Sequence, residues 1–230
     1  IWGYTFIWIK SALNTADRHF GYNFDLNLCA EATEALPLTV GLFMVIRFLG
    51  AALILPVALP VARDRISDAA VWKAGAVLSF FVLAGFLLQM FGMHGIDSAT
   101  SAFLTSLYVV FTALALAIWT HSIPSKTLIM GIALATLGAG FISGPPQITF
   151  GLPEWLTVIC AIAFAGHIIG TDYYTKRLPP LTVTLTTFVI TGCFCGLLFV
   201  YGWLSNESIR GFQILDLISD FDFLFPSLMC

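Results

Sequence analysis

From residue 98 to 119 the chain reads SATSAFLTSLYVVFTALALAIW, an uncharged run long enough to cross a bilayer. Its polar positions follow a helical rhythm. Ser101, Thr105, Tyr108 and Thr112 recur at steps of four, three and four, which places them along one side of a helix. Phe103, Leu104, Leu107, Val110, Phe111 and Leu114 take the other sides. Such a helix turns one side to protein or water and the rest to apolar surroundings. Apolar runs of comparable length recur, predicting spans over 1–15, 38–62, 71–93, 99–120, 127–144, 152–173 and 181–204, with an eighth starting near 221. Only the connections 16–37 and 205–220 are long. The predicted fold class is all-α, a polytopic membrane helix bundle of about seven spans plus the start of another.

Composition agrees: of 230 residues, 59% are hydrophobic and 10% charged, against about a quarter charged in soluble domains. The side on which the charges fall says more than the net charge of -3. Arg63, Arg65, Lys73, Lys126, Lys176 and Arg177 flank loops on one side of the predicted topology, whereas the other side carries Arg18 and Arg210 among many acids. This bias predicts a cytoplasmic amino terminus in a multi-pass protein of the cell membrane. No basic patch suggests nucleic acid. Cys29, Cys160, Cys193, Cys195 and Cys230 have no metal-site or disulfide spacing and read as small packing residues. The first run lacks a basic leader and a small-residue cleavage site, so it reads as a span. It is already under way at Ile1, and FDFLFPSLMC opens a new run at the other end, as in a piece of a longer protein.

A repeat is visible in outline. Pro37-Leu38-Thr39-Val40 opens the second span and Pro180-Leu181-Thr182-Val183 the seventh. Five spans separate the copies, so the second starts from the opposite membrane face, the arrangement of inverted-repeat transporters.

Among residues that can carry chemistry, Arg47 stands out. It lies well inside the second span, about 15 Å deep at 1.5 Å per residue, where an arginine costs ~3 kcal/mol on insertion scales. It either lines a cavity or fixes helix packing through backbone carbonyls. Tyr108 reaches a similar depth on the fourth span. Lys10 is near the outer end of the first span and either faces a cavity or snorkels to the interface; Gly3, Phe6 and Asn14 share its side. His167, one turn before Thr171, reads as a packing histidine or a proton-coupling group. Asp172 and Lys176 form an ordinary helix ion pair. Thr184, Thr187 and Thr191 make a short stripe whose hydroxyls can simply bond back to the helix. Gln89 is placed to cap a helix or line an entrance. Gly131, Ala135, Gly138 and Ala139 give the fifth span a small-residue side suited to close helix contact, and Pro145-Pro146 ends that helix. No phosphate-binding glycine loop, metal constellation or nucleophile elbow appears, so no cofactor or metal is predicted.

The stretch LLQMFGMHGIDSATSAFLTSLYVVFTALALA (87–117) resembles the third-to-fourth-span region of EamA-type transporters of the drug/metabolite transporter superfamily. WGYTFIWIK (2–10), MVIRFLGAALIL (44–55), GIALATLGAGFISG (131–144) and FAGHIIGTDYYTKRLPPLTV (164–183) are similar too. The resemblance implies a ten-span fold of two inverted five-span repeats: a first repeat over 1–150, with a longer outer loop at 16–37, and the start of a second over 151–230. It also implies that Ala113 stands where many relatives have a proline. The implied activity is secondary active transport of small organic solutes (metabolites, amino acids or drugs) by alternating access, in the direction of export and with a proton as a possible coupling ion. Lys10, Arg47, Ser101, Thr105, Tyr108 and His167 would then face the substrate cavity. Read without the resemblance, the chain leaves open a membrane-embedded enzyme acting on lipid-type substrates, or a seven-span ligand-sensing receptor.

Overall fold

The computed structural model describes residues 2–19, 32–121, 126–142, 151–205 and 211–229. All secondary structure among them is helical: α1 (Trp2–His19), α2 (Ala32–Ala58), a 3-10 turn (Pro60–Arg63), α3 (Ala69–Gly95), α4 (Ser98–Ser106), α5 (Tyr108–Trp119), α6 (Lys126–Ile142), α7 (Leu152–Thr175), α8 (Pro180–Ser205), α9 (Gly211–Ser219) and α10 (Phe221–Met229). Five helical stretches are long and apolar enough to cross a membrane: Pro37–Ala58, Ala69–Gly95, Ser98–Trp119, Leu152–Thr175 and Pro180–Ser205. The runs predicted at 1–15 and 127–144 are helical as α1 and α6 but do not join that set. α2 begins at Ala32, ahead of Pro37, and the connection expected over 205–220 contains α9. Pro145-Pro146 lie outside the described residues.

The chain forms two compact units, one of residues Ile1–Ser79 with Leu178–Cys230, the other of Phe80–Arg177. In the first, α2 and α8 run antiparallel, and glycines set their distance. A Cβ on Gly41 would stand 2.7 Å from the Phe199 backbone nitrogen, one on Gly202 2.7 Å from that of Leu38, and one on Gly192 2.5 Å from Leu49 Cδ2. Glycine permits this backbone approach, which replaces the hydrophobic driving force that helices in lipid lack. Phe48 and Phe188 meet at 5.6 Å between them. Ala52, Ala62 and Leu185 close the end of the pair under Leu55, Ile66 and Leu181. α1 buries Phe6, Ile9, Leu13 and Ala16 on one stripe, and Trp8 meets Phe225 of α10 edge-on at 5.6 Å. His19 Nε2 and Asp220 Oδ2, 2.9 Å apart, join the end of α1 to the α9–α10 junction.

The second unit holds the rest of α3 with α4, α5, α6 and α7. Here α3 lies antiparallel on α7, with Gly85 under Phe164, Gly166 under Phe81, and Gly92 and Gly95 against Thr157 and Pro153. Two carboxylates start its helices. Asp97 Oδ1 accepts the N–H groups of Ala99 and Thr100 at 2.9 and 3.0 Å, capping α4. Glu154 Oε2 reaches back to the Gly151 N–H at 2.9 Å, ahead of α7. The small-residue side expected of α6 does not pack at Gly131, where an added Cβ would meet nothing within 4 Å.

Candidate functional site

The predicted site residues divide between the units. Lys10 and Arg47 belong to the first. Arg47 is at the middle of the apolar stretch Pro37–Ala58 and is half-buried. Its guanidinium carbon stands 5.7 Å from the centre of the neighbouring Phe48 ring, which itself packs on Phe188 of α8. A ring face attracts a cation, so the charge is held at the α2–α8 crossing, two residues from the Leu49–Gly192 contact. Lys10 is half-buried between the buried Phe6 and Leu13 and the exposed Asn14.

The second unit contains Ser101, Thr105, Tyr108 and His167, and the hydroxyl stripe here proves discontinuous. The predicted single span is two helices, broken at Leu107. The cause is local. Ser106 Oγ donates to the Phe103 carbonyl at 2.6 Å, and the Leu107 N–H bonds one residue short of the α-helical register, to the Leu104 carbonyl at 3.3 Å. A side chain competing for a ladder carbonyl is an ordinary origin of a helix kink. The interruption comes at 107, six residues before Ala113.

The break divides the stripe by environment. Ser101 (0% exposed) and Thr105 (2%) are buried on α4, whereas Tyr108 and Thr112 on α5 are only half-buried. Thr112 donates to the Tyr108 carbonyl at 2.7 Å, so its hydroxyl is taken up by its own helix. Thr105 accepts from Gln89 Nε2 at 3.3 Å. Gln89, 3% exposed on α3, is therefore a buried partner of the stripe and neither a cap nor an entrance. The Cys160 thiol of α7, fully buried, lies within hydrogen-bonding reach of Thr105. Ser101 Oγ has no hydrogen-bond partner among the described residues. Three helices thus contribute to a small buried polar cluster: an amide, two hydroxyls and a thiol. Sequence reading gave Gln89 and Cys160 minor roles because their partners are distant in the chain; the only signal was a glutamine inside an apolar run.

His167 is half-buried on α7. It continues the stripe Pro153, Thr157, Cys160, Phe164 at helical spacing, with Phe164 packed edge-on against Phe86 at 5.2 Å. Asp172 and Lys176 form the expected pair, 2.6 Å apart and exposed. On α8, Thr184 and Thr187 bond back to the carbonyls of Pro180 and Val183 as expected. Thr191 instead meets Ser79 Oγ at 2.8 Å. Among the described residues, no group of three or more His, Cys, Asp or Glu side chains is arranged to hold a metal ion.

Comparison with known proteins yields one family. Neither a curated protein nor a solved structure matches the chain. Residues 35–144, which run from the first turns of α2 to the end of α6, match the EamA-like transporter family. That segment is similar to the EamA-like transporters, a family of multi-pass membrane proteins of the drug/metabolite type.

Proposed function

We propose that the protein is a secondary active transporter that exports small organic solutes across the cell membrane by alternating access, with its amino terminus in the cytoplasm. The observation that carries this reading is Arg47. A guanidinium at the middle of an apolar span is retained against ~3 kcal/mol of insertion cost, and intramembrane charges of this kind mark substrate and ion pathways. The match of residues 35–144 to a transporter family supports it. The inverted repeat, with one copy over 1–150 and the start of another over 151–230, has support from register. The alignment that pairs Pro37 with Pro180 also pairs Leu49 with Gly192, and these two residues touch. A residue meets its own counterpart where a two-fold axis relates two copies.

In this reading Arg47 offers a cation to an anionic group of the solute, and Lys10 acts toward the outer end of α1. Ser101, Thr105 and Tyr108 supply hydrogen bonds, and His167 exchanges the coupling proton. The test is transport in proteoliposomes loaded with amino acids, organic acids and lipophilic cations. Arg47→Ala is expected to lower the transport rate at least tenfold at unchanged protein abundance. Loss of rate and abundance in equal measure would reduce Arg47 to a packing residue.

A further inference from the structure

Ser101 and Thr105 stand one turn apart on α4, both buried. Several helical hydroxyls of this chain find an acceptor in their own helix, among them Thr112 in the Tyr108 carbonyl, Thr157 in that of Pro153, Thr175 in that of Thr171 and Ser227 in that of Phe223. Thr39 and Thr171, like Ser101, have no partner for theirs among the described residues. Thr105 uses its oxygen to accept the Gln89 N–H, which leaves its own proton to point away from Gln89. The group within its reach is the Cys160 thiol, and sulfur is a weak acceptor. Two buried hydroxyl donors one turn apart, one of them without a partner among the described residues, suit an oxygen lone pair brought from outside the protein.

We propose that Ser101 and Thr105 form a subsite for one acceptor oxygen of the transported solute, a carboxylate or carbonyl oxygen, and that Gln89 is the positioning residue that aims the Thr105 proton at it. The proposal rests on the transport reading and narrows it to solutes that carry such an oxygen. Gln89 acts by occupying the Thr105 lone pair. Without that N–H the hydroxyl is free to turn back to the Ser101 carbonyl, as those of Thr112 and Thr157 turn to theirs.

The experiment combines transport with thermal unfolding of the intact protein. Proteoliposomes are loaded with serine, phenylalanine and succinate as acceptor-bearing probes, and with choline, putrescine and mannitol as carbonyl-free ones. The wild-type protein moves the first set, and Ser101→Ala and Thr105→Val lower that transport at least tenfold. The midpoint of unfolding stays level or rises, because the donors removed have little to bond within the protein. Gln89→Met raises KM for the acceptor-bearing probe while the maximal rate holds, and Thr105→Ser, which keeps the donor, retains transport. Unchanged transport in Ser101→Ala and Thr105→Val overturns the subsite and leaves the transporter reading standing. A fall in the unfolding midpoint in step with transport also overturns it, since the hydroxyls would then hold the fold or a buried water. Selective transport of the carbonyl-free set overturns the assigned solute class. A wild-type protein that moves neither set removes the transport reading, and the subsite with it.

Discussion

Two helices, α8 in one unit and α4 in the other, use their hydroxyls in different ways. On α8, Thr182 donates to the Asp64 carbonyl at 2.7 Å and Thr186 approaches that of Val71 at 3.4 Å, both at the start of α3 or in the turn before it. Thr191 meets Ser79 Oγ, which also bonds the Thr187 carbonyl at 2.8 Å. Thr182 and Thr191 thus tie α8 to its neighbours, while Thr186 also donates to its own Val183 carbonyl at 3.0 Å. On α4, Ser101 ties nothing among the described residues and Thr105 accepts one N–H. The residue types are the same, so the difference lies in what faces them. α8 passes backbone carbonyls of the turn before α3 and of its first turn, at Asp64 and Val71. α4 faces a glutamine and a thiol. Threonine in an apolar helix is structural where it meets a backbone acceptor and available where it does not.

The largest expected effect comes from forcing α2 and α8 apart at their closest approach. Gly41→Ala puts a Cβ against the Phe199 backbone, and we expect a loss of about 1–3 kcal/mol, read as the unfolding midpoint of the detergent-solubilised protein. Gly131→Ala, where a Cβ meets open space, is expected to leave that midpoint level or raise it by up to about 1 kcal/mol of helix propensity. Equal effects at the two glycines would refute the close-packing account.

Next in size is Ser79→Ala, which removes both bonds of its hydroxyl and leaves Thr191 short of a partner. We expect a loss of about 1–2 kcal/mol, partly recovered in Ser79→Ala/Thr191→Val, where no polar group is stranded. Together with the level midpoint expected of Ser101→Ala, this measures the contrast between α8 and α4 directly.

The smallest effect is at the α4 cap. The Thr100 hydroxyl first, then the N–H groups of Thr100 and Ala99, hold the Asp97 carboxyl below its ordinary value, against a smaller opposing push from burial. A depressed folded-state value means that this contribution is present above the unfolded value of about 3.8 and is lost as pH falls through the lower, folded one. Asp97→Ala is expected to lose about 1 kcal/mol at neutral pH and to match the wild type in acid below both values. A difference that persists there would show that the cap acts through shape and not through charge.

Much of this architecture was legible in the chain. Length and apolarity located the long helices, and Arg47 announced itself as a charge inside a span. The Asp172–Lys176 pair followed from its spacing. The break at Leu107 was not legible, because it turns on one rotamer of Ser106 choosing the Phe103 carbonyl, and serines at such positions often leave a helix intact. Gln89 was misjudged because its partner is sixteen residues away on another helix. Gly131 was overrated for the converse reason: small residues permit close contact but do not supply the neighbour.

The contact of Leu49 with Gly192 bears on how such a chain could have arisen. If, as proposed, the chain is built from two repeats of one duplicated ancestor, these positions once held the same residue. Two leucines would collide at this crossing, since even a Cβ on Gly192 falls 2.5 Å from Leu49 Cδ2, and two glycines would leave a hole. Only an unequal pair fits, one knob and one socket. Divergence at this one position would have committed each half to the other, so that neither could be exchanged for a copy of its partner.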